Sequence, residues 1–234
     1  MERRRQLLDE ALEIFAARGF HATSMNDVAE AAGVTKPVLY QHVASKRSLY
    51  LELLHDVGGQ LQAAILDATG AAVGPRQQVE AGFAAYFRHV QEHRSAFTLL
   101  FGSGARLDDE FTEAVRSVEA AIAQAVAALI DADVDDLHRR ILAYGVVGLA
   151  ESTSRHWIAD DLDLDPDLLA RQVGALAWAG LRGVRPIEVP TPGAPHHAQG
   201  PAGPTGQPRG RRPGTRAGER SDEGQAPAPR RERG

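Results

Sequence analysis

Residues 24–43 read SMNDVAEAAGVTKPVLYQHV. Ser24 stands three positions before Asp27, the pattern of a capping box, in which a hydroxyl and the third-position side chain each accept the other residue's backbone N–H. Met25 to Ala32 then carries apolar residues at helical spacing until Gly33 stops it. Thr35 offers a second N-cap, and Pro37 lies in a first turn, where its missing N–H costs little, so another short helix runs from Lys36 to about Val43. Ala29, Gly33, Val34 and Leu39 thus have the spacing of a helix-turn-helix: a small residue where two helices cross, a glycine for the turn, and apolar residues that close a small core. Such a unit lays its second helix in the DNA major groove. The candidates for that surface are Thr35, Lys36, Pro37, Val38, Tyr40, Gln41 and His42. Gln41 suits a base edge, Lys36 and Lys46 suit phosphates, and Tyr40 and His42 can reach backbone oxygens.

Working outward, Leu7, Leu8, Ala11, Leu12 and Phe15 fall at three-and-four spacing and predict an amphipathic helix over about 3–18, ended by Gly19. Ser45 reads as the N-cap of a long helix from Lys46 to about Ala68, stopped by Gly70 and Gly74. Further helices are expected at roughly 76–93, 95–102, 108–131, 135–159 and 166–184. The last two suggest an antiparallel hairpin across Asp160-Asp161-Leu162-Asp163. No window alternates at period two. The expected fold is all-α with about nine helices: an N-terminal three-helix DNA-binding domain over 1–50, its helix-turn-helix at about 24–43, joined by the long fourth helix to a regulatory ligand-binding and dimerisation domain over 51–189.

Residues 190–234 hold nine Pro and nine Gly in 45 positions and contain no Val, Ile, Leu, Met, Phe, Tyr or Trp. Such a segment buries too little apolar surface to offset its ordering entropy, so a disordered tail is expected, its arginines 209, 211, 212, 230 and 231 adding no assigned role. The net charge of −5 is uneven: +1 over 1–50, −10 over 51–189 and +4 over the tail. A uniformly basic nucleic-acid coat is excluded, although a basic end on an acidic body is not. Zero cysteines exclude disulfides and cysteine-ligated metals. No apolar run of membrane-spanning length and no secretory signal is visible, which predicts a cytoplasmic protein with no membrane partner. The acidic runs at Asp131-x-Asp133-x-Asp135 and Asp161-x-Asp163-x-Asp165 lack the glycine and glutamate of a calcium loop, so no metal and no cofactor are expected. No serine-, cysteine- or metal-based motif has catalytic spacing, so an enzyme is not expected. An all-α lipid carrier or enzyme is the alternative from a different class.

From Arg5 to Leu54 the chain resembles the DNA-binding domain of TetR-family transcriptional regulators. The resemblance rests on Ala11-x-x-x-Phe15, Gly19-Phe20, Thr23-Ser24, Val28-Ala29-x-x-Ala32-Gly33-Val34, Leu39-Tyr40-x-His42 and Ser45-Lys46-x-x-Leu49, in that order. It implies a homodimeric regulator of a pseudo-palindromic double-stranded operator, most often a repressor, whose C-terminal domain binds a small molecule. By position it implies that Tyr40 and Lys46 contact phosphates, that Thr35 to Val38 form the base-reading turn, and that Ser24 is a cap facing the DNA backbone. Two departures stand out. Val43 occupies a position usually held by a buried Phe. The basic N-terminal arm of many members is reduced to Arg3, Arg4 and Arg5, unless the true start lies upstream of Met1.

The second half, through Phe87, Phe97 to Phe101, Gly145-Val-Val-Gly148-Leu, Arg155-His-Trp157 and Ala177-Trp178-Ala-Gly180-Leu, resembles an actinobacterial branch of the family that includes a regulator of fatty acid synthase genes. That resemblance implies an elongated apolar pocket for an effector such as an acyl-CoA or other lipid; a drug- or xenobiotic-sensing efflux regulator is the alternative within the family. The aromatic residues Phe83, Tyr86, Phe87, Phe97, Phe101 and Phe111 cluster in sequence and are expected to wall the pocket, with Tyr144 and Trp157 supplying polar tips. Gly145, Gly148 and Gly174, with Trp178 and Leu181 nearby, are expected at a four-helix dimer interface, because glycines inside helices are compensated by close helix approach.

Overall fold

The computed structural model describes residues 2–102 and 108–186, and among these every regular element is an α-helix. The order is α1 (Glu2–Ala22), α2 (Met25–Ala31), α3 (Lys36–His42), α4 (Lys46–Gly70), α5 (Pro75–Glu92), α6 (Arg94–Phe101), α7 (Asp109–Leu129), α8 (Asp136–Ala159) and α9 (Pro166–Leu181). The nine helices, with a helix-turn-helix at the N-terminal end, bear out the expected all-α architecture. Residues 190–234, expected to be disordered, lie outside the described residues.

Side-chain caps set most of the helix starts. Ser24 and Asp27 form the capping box of α2, with the Ser24 N–H donating to Asp27 at 2.7 Å. Ser45 caps α4 with Ser48 as its reciprocal partner. Asp108, Asp135 and Asp165 cap α7, α8 and α9. Two of the acidic runs thus contribute a cap. Thr35 occupies the N-cap of α3 but its side chain accepts no capping bond. Pro37, at the second helical position, has no N–H to offer, and this removes one of the two donors a cap ordinarily serves. As expected, the first helical run stops at Gly19, which adopts the non-helical φ 78°, ψ 167°, and a short further stretch of α1 follows to Ala22.

Most buried residues form one continuous core from Leu7 in α1 to Ala177 in α9, and Ala123, Ala127, Ile130 and Ala143 form a second, small cluster where α7 meets α8. α4 is the common axis. Its Leu49, Tyr50, Leu53 and Leu54 pack toward the N-terminal helices, and its Leu61 and Ile65 lie in the core of the C-terminal ones. At Gly58 a Cβ would stand 2.5 Å from both γ-methyls of Val118, so α4 and α7 approach too closely for any side chain. The expected α8–α9 hairpin is only a minor contact. α9 lies mainly along α5, joined by Arg88–Asp167 at 2.6 Å and by Gly174 seated against Phe83. The reason is the buried stripe Leu169, Ala170, Val173 and Ala177, which fits α5.

Candidate nucleic-acid interface and effector cavity

Leu39, fully buried, is the plug of the helix-turn-helix, and Val28 and Ala29 of α2 are buried in the same core. The turn is closed by Gly33 N–H donating to Glu30 O at 3.0 Å and Val34 N–H to Ala29 O at 2.9 Å, with Gly33 at φ +61°, where a side chain is strained. Anchoring Leu39 leaves the opposite face of α3 outward. Thr35, Lys36, Pro37, Tyr40, Gln41 and His42 are all exposed, and Val38 is half-buried. Tyr40 is 45% exposed although it is aromatic, and α3 contains no carboxylate. An exposed two-turn helix with a free hydroxyl at its cap, one ammonium, one amide and one phenol has the chemistry to meet phosphates and base edges.

Three sequence-based assignments take a different form. Lys46 donates to Phe20 O and Thr23 O, both at 2.8 Å, and its Nζ lies 4.3 Å from the Phe20 ring centroid. Two of its three donors therefore fasten α4 to the α1–α2 junction, and its charge serves that junction first. Ser24 Oγ accepts from Asp27 N–H, and hydrogen bonds from the Ser24 side chain and backbone N–H hold the Asp27 carboxyl below the usual range. Arg3, Arg4 and Arg5 belong to α1 instead of forming an arm: Arg4 pairs with Glu52 at 2.5 Å, and Arg5 with Asp9 and Asp56 at 3.0 Å each.

A cavity of about 180 Å³ lies among α4 to α9. Ile65 and Thr69 of α4, Phe83 and Tyr86 of α5, Ile122 and Val126 of α7, and Val146 and Val147 of α8 form most of its wall. Its lining on α5 runs from Pro75 to Tyr86, about 16 Å of helix at 1.5 Å per residue. The surface is mainly apolar, and the volume exceeds the ~150 Å³ at which dry cavities admit small hydrocarbons.

The aromatic residues expected to form this wall divide into five groups. Phe83, Tyr86 and Phe101 line it. Phe87 forms a layer behind, 6.3 Å from Phe83 and 5.3 Å from Tyr86 between ring centroids. Trp157 joins that layer and its Nε1 donates to Leu162 O at 3.0 Å, securing the turn after α8, so its polar tip is already used. Phe97 packs on Phe101 at 5.0 Å, on the side of a small crevice beside His89 and His93. Phe111 is in a different place altogether, 4.7 Å from Phe20 and 4.5 Å from Tyr50. Tyr144 is half exposed on α8 and does not reach the cavity.

The proposed interface residues divide as well. A Cβ at Gly145 or Gly148 would meet nothing within 4 Å, so close packing inside this chain does not account for either glycine. Gly174 is used against Phe83 within the chain, and Trp178 and Leu181 line the cavity. Sequence reasoning missed three features: the aliphatic walls from α4, α7 and α8, which look like ordinary core; the polar pair Glu151 and Ser154 on the buried side of α8, legible as polar residues in a stripe with Ala150 and Trp157; and the His89–His93 pair, four residues apart with rings at 4.4 Å.

A helix-turn-helix with its second helix exposed, carried on a rod that also walls an apolar cavity, defines a ligand-responsive DNA-binding regulator. The pattern "Bacterial regulatory proteins, tetR family" matches residues 7–53, and "Tetracyclin repressor-like, C-terminal domain" matches residues 75–180. The chain is similar to the HTH-type transcriptional activator FasR of Mycolicibacterium smegmatis, 34% identical over 182 residues that cover 77% of this chain and 83% of that one. It is also similar to the HTH-type transcriptional repressor KstR2 of Mycobacterium tuberculosis, 26% identical over 79% of this chain and 82% of the other. Its fold is shared by the transcriptional regulator FadR from Bacillus subtilis, solved in complex with stearoyl-CoA, with a TM-score of 0.67, 16% identity, and coverage of 75% of this chain and 98% of that one. The chain belongs to the tetR family of bacterial transcriptional regulators and is not an enzyme. Among the described residues no helix is long and apolar enough to cross a membrane.

Proposed function

We propose that the protein is a homodimeric repressor that leaves a pseudo-palindromic operator when a hydrophobic small molecule, an acyl-CoA or another lipid, occupies the α4–α9 cavity. The observation that carries this reading is α4 itself. Lys46 at its start is bonded to the backbone of the reading head, whereas Ile65 and Thr69 near its end belong to the cavity wall. Its 25 residues make a rod of about 37 Å. A ligand that separates α4 from α7 or α5 tilts the rod and changes the spacing of two heads in a dimer. Thr35, Lys36, Pro37, Val38, Tyr40, Gln41 and His42 meet the DNA; Ser24 and Lys46 hold the head in shape.

The dimer surface is the outward stripe of α8, Leu137, Ile141, Tyr144, Gly145 and Gly148, with Leu176 of α9. Leu137, Ile141 and Leu176 are each about 60% exposed, more than an apolar face of this size leaves to water without a partner. The open surroundings of Gly145 and Gly148 support close approach by a second helix. The long-chain ligand of the FadR fold relative supports the room such a cavity offers.

The test is gel shift of the purified dimer on the DNA upstream of its own coding region, with and without a long-chain acyl-CoA, over a salt series. Specific binding that weakens with salt and is released by ligand is expected. Binding indistinguishable from random DNA overturns the DNA-reading function; retention with ligand, or loss of transcription when the protein is deleted, overturns repression relieved by lipid.

A further inference from the structure

We propose that the molecule held in the cavity is apolar along most of its length and carries an uncharged oxygen, a hydroxyl or a carbonyl, at the end that meets Tyr86 and Ser154. This rests on the reading of the cavity as the effector site and specifies the chemistry of that effector. Tyr86 lines the cavity and is 6% exposed; Ser154, one turn along α8 from the lining residues Ala150 and Glu151, is fully buried. The Tyr86 hydroxyl and Ser154 Oγ are buried side by side, within reach of each other and of no other hydrogen-bonding partner. Two hydroxyls satisfy only one donor between themselves, so this pair beside an apolar cavity keeps a donor and acceptor sites to spare and marks a place for a polar atom.

The charge pattern decides what kind of atom. Burial raises the Tyr86 phenol well above its ordinary range, against the downward pull of a hydrogen bond with Ser154, so it stays protonated and can donate. Glu151, also in the wall, pairs with Arg155 at 2.5 Å. The other Arg155 nitrogen donates to Phe101 O at 3.3 Å. The guanidinium is thereby committed, and the carboxylate on the wall disfavours a second anion. A donor phenol, a hydroxyl that donates or accepts, and a neutralised ion pair favour a neutral oxygen over a free carboxylate. A cation would find Glu151 already paired.

The test is displacement of the neutral dye N-phenylnaphthylamine from the full-length dimer by dodecanol, dodecanoate and chlorododecane. Dodecanol is expected to compete at concentrations about tenfold lower than either of the others. Tyr86→Phe should abolish that advantage while leaving chlorododecane unchanged and the melting temperature close to the parent's, because it removes a buried hydroxyl whose one partner is Ser154. Ser154→Ala should reduce the advantage in part. Dodecanoate matching dodecanol, or an advantage that survives both substitutions, overturns the polar-end assignment while leaving the cavity reading standing. Failure of all three chains to displace the dye overturns the cavity reading itself, and this proposal with it.

Discussion

The guanidinium of Arg47, in the first turn of α4, lies 2.6 Å from the carboxylate of Asp108, the residue that caps α7. A second nitrogen of Arg47 reaches Glu110, also at 2.6 Å, and the guanidinium stands 5.0 Å from the Phe111 ring centroid. The hydrogen bond from Arg47 holds Asp108 below the usual carboxylate range. Phe111 in turn packs on Phe20 of α1 and Tyr50 of α4, and burial pushes the Tyr50 phenol up to about 12. The N-terminus of α7, whose later turns wall the cavity, is therefore fixed to the start of the rod that carries the reading head.

Replacing Arg47 by Ala should loosen that connection with little effect on the fold, because the Arg47 and Glu110 side chains are about half exposed and Asp108 keeps its cap on α7. The expected result is operator affinity within a few-fold of the parent when no effector is present, and a several-fold shift in the effector concentration that releases DNA. Fluorescence anisotropy of labelled operator under effector titration measures both. Superimposable release curves would remove this contact from the coupling route.

On α3, the amide and the ammonium should fail differently. Gln41→Ala is expected to lose about 1–3 kcal/mol on the cognate operator and to relax preference at one base pair, because an amide reads a base edge. Lys36→Ala should weaken all DNA alike and lower the salt slope by about 1. Competition gel shifts at two salt concentrations separate the outcomes; identical behaviour of the two variants would contradict the assigned roles.

The α8 stripe predicts the oligomeric state. Ile141→Asp places a charge at the centre of the proposed interface, where desolvation costs several kcal/mol. Light scattering should report a folded monomer with unchanged helicity and greatly weakened operator binding, since two heads are no longer joined. A variant that remains dimeric places the interface on another face.

Acid should act through His89. Burial, and then His93, hold its imidazole below the ordinary histidine range, with Glu92 opposing. In the unfolded chain it takes up a proton near pH ~6.5, whereas in the folded chain it does so only at lower pH. The unfolded state binds more protons across that window, so the stability present above it is lost as pH falls through the folded value. Thermal melts at pH about 7.5 and 5.5 should show a smaller acid-induced fall for His89→Leu than for the parent. An equal or larger fall would contradict the assignment.

Local chemistry in the sequence was enough to specify the helices and the head. Ser24 with Asp27, Gly33, and Leu39 each act within a few residues of themselves, through caps, a turn and a plug, so their roles are legible from spacing. The exposure of α3 follows from the burial of Leu39. Roles that depend on distant partners could not be read in this way. Lys46 looked like a phosphate contact because its partners, the carbonyls of Phe20 and Thr23, are brought to it only when α4 docks on α1. Phe111 looked like cavity wall, yet the tertiary structure seats it between α1 and α4. Trp178 and Leu181 looked like interface alone, and the docked position of α9 also makes them part of the cavity wall. A helical periodicity defines which face of a helix is buried; it does not name the helix that covers that face, and only the docked fold decides it.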